Sequence, residues 1–260
     1  MVRRSRKKRS SREDYPVGEQ IKIEEGVFEN KMMVKLGRLF SKRIISTLEF
    51  ITARGKEADV YIANAGEAIV DEYVIVKIFR IETSAFKRRL DYIIGDPRFG
   101  HVSKNMYSVV NEWCKKEYGN LMVAGFAKVH APRPSAFSGN ILAMEFIGKD
   151  GVPASQLKDT KLKDPEKTLD AILGDMKKLY ANDLVHGDVS EYNILMKEDI
   201  PYMIDFGQGV LLEHPEAITF LRRDVKNILD YFSRTYGIEK DADEAFAQIT
   251  RAAETKANSD

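Results

Sequence analysis

Leu184 to Gly207 reads L-V-H-G-D-V-S-E-Y-N-I-L-M-K-E-D-I-P-Y-M-I-D-F-G. The pattern is a loop, a short strand, a turn, a second strand and a carboxylate where that strand ends. Asp188 precedes Asn193 by five residues, and Asp205 follows the apolar run Tyr202, Met203, Ile204. These are the groups that phosphoryl transfer requires. One carboxylate, Asp188, orients the attacking hydroxyl or water, while the amide oxygen of Asn193 and the carboxylate of Asp205 hold magnesium against the phosphates. Asp and Asn are also ordinary turn formers, and H-G-D-x-x-x-x-N by itself decides little. With D-F-G at this distance the catalytic reading outweighs the bland one.

Outward toward the N-terminus, residues 51–63 (I-T-A-R-G-K-E-A-D-V-Y-I-A) read as strand, tight loop, strand. Ala53, Gly55 and Ala58 are small where a phosphate-covering loop needs close backbone approach. Only one of them is glycine, so a plain hairpin explains the stretch equally well. Residues 72–81 (E-Y-V-I-V-K-I-F-R-I) are β-prone. Their alternation sets Val74, Val76 and Ile78 on one face and Ile75, Lys77 and Phe79 on the other. A strand lysine can reach water harmlessly, but a lysine on the strand after a phosphate loop is the α/β-phosphate ligand of kinases. Its acidic partner is expected on the helix predicted over 105–124. There Glu117 falls on the apolar stripe of Trp113, Cys114 and Leu121, whereas Glu112 falls on the polar side. An inward carboxylate is costly unless paired, which selects Glu117.

The flanks are read more coarsely. Helical spacing from Gly26 to Phe50 (Val27, Met32, Leu36, Leu39, Phe40, Ile44, Leu48) predicts one or two amphipathic helices. Residues 82–105 form a polar connection expected to be mobile. Ala131-Pro132-Arg133-Pro134 turns into two strands, the second I-L-A-M-E-F-I-G, and Asp150 to Pro153 reads as a linker between lobes. By position alone, the backbone of Glu145 and Ile147 would face a purine edge. Asp164-Pro165-Glu166 starts a helix with an N-cap and a first-turn proline, and two further helices are predicted over 215–236 and 241–257.

The 260 residues, 43% hydrophobic and 31% charged, suit one or two globular domains. No apolar run approaches the ~20 residues of a membrane span, and no signal core opens the chain. The expectation is therefore no membrane and a cytoplasmic location. The single cysteine, Cys114, excludes an internal disulfide and a cysteine-based metal cage. The net charge of +1 hides an asymmetry: residues 1–12 hold seven Lys or Arg and no acid, which leaves 34 basic against 40 acidic residues, or −6, in the remainder. A basic arm on a mildly acidic body suits contact with RNA, and also suits a plain solubility tail. The expected divisions are a basic arm, 1–25; N-terminal helices and sheet lobe, 26–149; and a reduced, mostly helical lobe, 150–260.

Taken together, H-G-D-V-S-E-Y-N, A-R-G-K-E-A-D-V-Y, M-E-F-I-G and H-P-E-A-I-T-F-L-R-R-D-V resemble the RIO family of atypical serine/threonine protein kinases, in the archaeal-like form of its first subfamily. The similarity covers roughly residues 46–236. It implies an α+β, two-lobed protein-kinase-like fold with an N-terminal antiparallel sheet lobe. By resemblance, Lys77 and Glu117 match the family's ion pair, Asp188 the catalytic base, Asn193 and Asp205 the metal ligands, and Lys56 and Glu57, beside Gly55, part of the phosphate loop. The residue matching Asp205 is also implicated as acceptor of an aspartyl-phosphate. ATP with magnesium, or manganese in its place, is the implied cofactor, and a small ribosomal subunit precursor (rRNA and proteins) the implied partner; no DNA is expected.

The chain departs from ordinary protein kinases. Gly187 stands where an arginine would pair with a phosphorylated activation loop. There is no A-P-E, and six residues separate Gly207 from His214. Control by loop phosphorylation is not expected, and the short remainder offers little platform for a long peptide. Two other readings compete: a small-molecule phosphotransferase, which shares H-G-D-x-x-x-x-N but usually has a larger C-terminal lobe, and a non-catalytic scaffold that uses ATP for shape. Ser84 and Ser103 are the expected sites of any side reaction of autophosphorylation.

Overall fold

The computed structural model describes residues 30–81, 92–99 and 105–257. The basic arm, Ser84 and Ser103 lie outside the described residues. The first half is a five-stranded antiparallel sheet in the order β1-β2-β3-β5-β4, from β1 (Ile45–Arg54), β2 (Ala58–Ala65), β3 (Tyr73–Phe79), β4 (Pro134–Ser138) and β5 (Ile141–Glu145). The two faces of β3 pack differently, as period-two alternation requires. Val74, Val76 and Ile78 meet Leu36 and Leu39 of helix α1 (Asn30–Ser41). Phe79 joins the core built on helix α2 (Met106–Phe126). The sheet is thus held between two helices.

Helical periodicity misleads at one place. It extends through Ile44 and Leu48, yet α1 stops at Ser41, Arg43 takes a left-handed conformation (φ 56°), and a strand begins at Ile45. The pairing of β1 with β2 prevails over the pattern. Three register shifts along β1 also break its alternation, so only its end, from Ile51, reads as a strand in the sequence.

The second half is mainly helical: α3 (Pro165–Tyr180), α4 (Ala217–Tyr236) and α5 (Ala242–Ala257). The side chain of Asp164 caps α3 by accepting from the Lys167 N–H at 3.0 Å. Small ladders brace this half, β8 (Ser155–Gln156) with the hairpin β10 (Ile194–Lys197) and β11 (Ile200–Met203), and β9 (Leu184–Val185) with β12 (Val210–Leu211). Between the halves, the stretch expected to be a linker is part of a tight hairpin of β6 (Gly148–Lys149) and β7 (Val152–Pro153). Its turn residues Asp150 and Gly151 are both left-handed (φ 50° and 74°), as a two-residue hairpin turn demands. One apolar core runs through both lobes, from Leu142 and Phe79 through Trp113 and Leu121 to Leu169, Ile228 and Phe232. This is an α+β two-lobed kinase-like fold. Among the described residues, no helix is long and apolar enough to cross a membrane.

Candidate active site

Lys77 leaves β3 on the face turned toward α2. Its Nζ lies 2.8 and 2.9 Å from the two carboxylate oxygens of Glu117 and 3.0 Å from Oδ1 of Asp205. Glu117 is fully buried, while half of the Asp205 side chain is exposed. Burial opposes the charge on Lys77, but the two carboxylates outweigh it and hold the ammonium above its ordinary range. Glu117, the deeper carboxylate, must share that ammonium with Asp205, and burial pushes it up to about 7. Burial also opposes ionisation of Asp205, yet Lys77 holds this carboxylate below the usual range. Glu112, by contrast, pairs with Lys115 at 3.6 Å on the outer side of α2.

Asp205 itself is left-handed (φ 64°, ψ 65°), a conformation uncommon for a residue with a Cβ. It is held from behind by two buried residues of α2. Asn120 Nδ2 donates to the carbonyls of Phe206 and Gly209 at 2.7 and 2.8 Å. Lys116 Nζ donates to the Gly207 carbonyl at 3.0 Å and also to that of Gly209. Burial lowers Lys116 to about 7. Gly207 is required here, because a Cβ would sit 2.8 Å from Nε1 of Trp113.

The loop after β9 presents Asp188. Its Oδ2 accepts from Asn193 Nδ2 and from Gln208 Nε2, each at 2.9 Å. Asn193 Nδ2 also donates to the Asp188 carbonyl at 2.9 Å. Burial and the charge of Asp205 push Asp188 up to about 6. Asp224 of α4 fastens the loop, accepting from the N–H groups of Gly187 at 2.7 Å and Val189 at 3.1 Å, and Arg223 donates to the Gly187 carbonyl. Buried His186 hydrogen-bonds through Nε2 to the Ile204 carbonyl at 3.1 Å, and burial lowers it to about 4.

These groups open onto one cleft of about 720 Å³ between the lobes. Gly55, Lys56, Glu57, Lys77, Glu145, Ile147, Asp188, Asn193 and Asp205 all line it, with apolar walls from Val60, Ile75, Met144, Leu195 and Ile204. Glu117 stands behind the wall. The Gly55 N–H donates to the Ala58 carbonyl at 2.9 Å, which closes the loop between β1 and β2. No group of three or more His, Cys, Asp or Glu side chains among the described residues would cage a metal alone. Oxygens that could meet a cation in the cleft include those of the half-exposed Asp205 carboxylate and the Asn193 amide oxygen, whose NH2 is spent on Asp188. Hard oxygen donors in this small number suit magnesium, which usually keeps waters and phosphate oxygens in its shell.

Sequence patterns did not single out Gln208, Lys116, Asn120 or Asp224. Lys116 and Asn120 bind backbone carbonyls some ninety positions away, which leaves no spacing to read. The available signals were the place of Gln208 directly after D-F-G and that of Asp224 within H-P-E-A-I-T-F-L-R-R-D-V.

A family model described as the RIO domain matches residues 59–245. The RIO-type serine/threonine-protein kinase Rio1 of Haloferax volcanii is 35% identical over 232 residues, covering 89% of this chain and 79% of that protein. The Rio1 of Methanocaldococcus jannaschii is 39% identical over 217 residues, covering 83% and 73%. That of Thermoplasma acidophilum is 42% identical over 172 residues, covering 66% and 90%. Among solved structures, the Rio2 kinase of Chaetomium thermophilum in an ADP/Mg2+-phosphoaspartate complex superposes with a TM-score of 0.63 at 20% identity, covering 86% of this chain and 70% of that one.

Proposed function

The chain belongs to the RIO domain family and is a RIO-type serine/threonine kinase; from that premise we propose that it moves the γ-phosphoryl group of ATP within the interlobe cleft and serves maturation of the small ribosomal subunit in the cytoplasm. The observation that carries the chemistry is Lys77, one ammonium set between a buried carboxylate and a second one open to the cleft that Asp188 also lines. The adenine would lie between the apolar walls. The Glu145 N–H is already donated to the Arg133 carbonyl at 2.8 Å, and the Ile147 carbonyl accepts from Ala154 at 3.0 Å. A purine edge would therefore meet the Glu145 carbonyl and the Ile147 N–H. Gly55, Lys56 and Glu57 would cover the phosphates and Lys77 would bind them. Asp205 and Asn193 would hold magnesium, or manganese in its place, which neutralises phosphate charge when bound.

Two routes share these parts. In the first, a serine hydroxyl attacks the γ-phosphorus, the bond to the β-phosphate oxygen breaks, and the hydroxyl proton passes to Asp188. In the second, an Asp205 oxygen attacks, ADP leaves, and water oriented by Asp188 later hydrolyses the acyl-phosphate, for a net ATPase. The phosphoaspartate in the Chaetomium thermophilum Rio2 complex favours the second as the main activity here. Phosphoenzyme trapped from wild type and from Asp188→Ala and treated with hydroxylamine tests this, because acyl-phosphates are labile and phosphoserine is not. Label that resists hydroxylamine in both proteins, with rapid transfer to a protein substrate, would establish the first route instead.

A further inference from the structure

We infer that Gln208 is a positioning residue for phosphoryl transfer: it fixes the rotation of the Asp188 carboxylate so that one oxygen is spent on the protein and the other faces the nucleophile. The inference rests on the reading of Asp188 given above and holds for a hydroxyl or a water nucleophile alike.

A carboxylate on a loop can turn about its last bond, and only one of its oxygens can take the proton or align the nucleophile. Here Asp188 Oδ2 accepts two N–H groups from opposite ends of the site, Asn193 Nδ2 and Gln208 Nε2, both at 2.9 Å. Two donors converging on one oxygen define the plane of the group, where one donor would leave it free to swing. The two donors also differ in what else they do. Asn193 is bound to the Asp188 backbone carbonyl as well, so it belongs to the same loop and moves with it. Gln208 comes from the segment of Asp205, and its hydrogen bond is the direct tie from that segment to the Asp188 side chain.

The backbone is shaped to permit this contact. Phe206 to Gln208 form a single 3-10 turn that brings Gln208 back over the loop. At its closest approach stands Gly187, left-handed at φ 76°, where a Cβ would meet the Gln208 carbonyl at 2.9 Å and the Gln208 Cβ at 3.7 Å. A side chain at 187 would therefore push the Gln208 segment away from Asp188. The bare position before the catalytic aspartate and the amide after D-F-G form a matched pair: the first makes room for the second.

Positioning of this kind acts on the rate of the chemical step and not on nucleotide affinity. The test compares Gln208→Ala and the near-isosteric Gln208→Glu, which replaces the donor by an acceptor, with Asp188→Asn as control. Single-turnover phosphoryl transfer from ATP with magnesium is measured beside nucleotide affinity and thermal unfolding of the same preparations. Gln208→Ala is expected to lower the single-turnover rate about tenfold or more while ATP affinity and magnesium requirement stay within about twofold of wild type. Gln208→Glu is expected to be slower still. Both variants within about twofold of wild-type rate would overturn the inference. So would a loss confined to ATP or magnesium affinity, which would make Gln208 a nucleotide-site residue. An active Asp188→Asn would remove the base reading on which this one stands. Inactive Asp188→Asn beside wild-type Gln208 variants would leave that reading intact and refute only the role of Gln208.

Discussion

Lys77 has one charge to divide between two carboxylates, and the division sets what each can do. Glu117 is sealed from water, so its part is to hold the ammonium in place, while Asp205 keeps an oxygen for the cleft. Asp205→Ala should abolish metal-dependent transfer, because the cation loses its carboxylate. Lys77→Ala should lower kcat/KM by about 100-fold or more, and near wild-type turnover in either variant would remove that residue from the mechanism. His186 gives a prediction of different kind. Burial takes it from an ordinary 6.5 down to about 4, so the folded state prefers the neutral ring. Its contribution is fully present above pH 6.5 and is lost as pH falls toward 4, up to about 3 kcal/mol over that window. His186→Phe should flatten the acid side of a stability-against-pH curve from chemical denaturation; an unchanged slope would assign acid sensitivity elsewhere. Gly187 carries two meanings at once. In the sequence it is the missing arginine of loop control, and in the structure it is a left-handed residue with no room for a Cβ.

At the level of elements, α2 does more than carry Glu117. Three residues on one side of it, Lys116, Glu117 and Asn120, reach Lys77 and the backbone on either side of Gly207. Asn120→Ala would leave the Phe206 carbonyl without its side-chain donor and thin the bonds to Gly209, at a cost of about 1–3 kcal/mol. It should raise the magnesium concentration needed for half-maximal activity, since Asp205 loses its backing; a fall in stability with unchanged magnesium dependence would make the contact purely structural. β3 and α2 were legible in the sequence because each has an unbroken period and a charged residue on its apolar face. The first part of β1, before Ile51, was not, because its bulges erase alternation and a helical pattern runs across its start. Lys116 and Asn120 were illegible for another reason: a polar residue whose partner is a distant carbonyl looks the same in sequence as one facing water.

For the whole molecule, charge and core pull in separate directions. The seven cations of residues 1–12 stand apart from a body of balance −6. Deleting them should leave ATP turnover unchanged while weakening binding to small-subunit rRNA and flattening its salt dependence; an unaltered salt slope would mark the arm as a solubility tail. The core, in contrast, makes the two lobes one body, with Phe206 wholly buried in it beside the His186 ring, 4.5 Å between centroids. This has a pharmacological consequence. In protein kinases the packing of the phenylalanine of Asp-Phe-Gly separates active from inactive arrangements, and a compound that displaced it would occupy the space it leaves. Here that phenylalanine could move only by breaking the grip of Lys116 and Asn120 on its neighbours. Inhibitors of that class should bind this chain poorly, and compounds that fill only the adenine end of the cleft should be the productive starting chemistry.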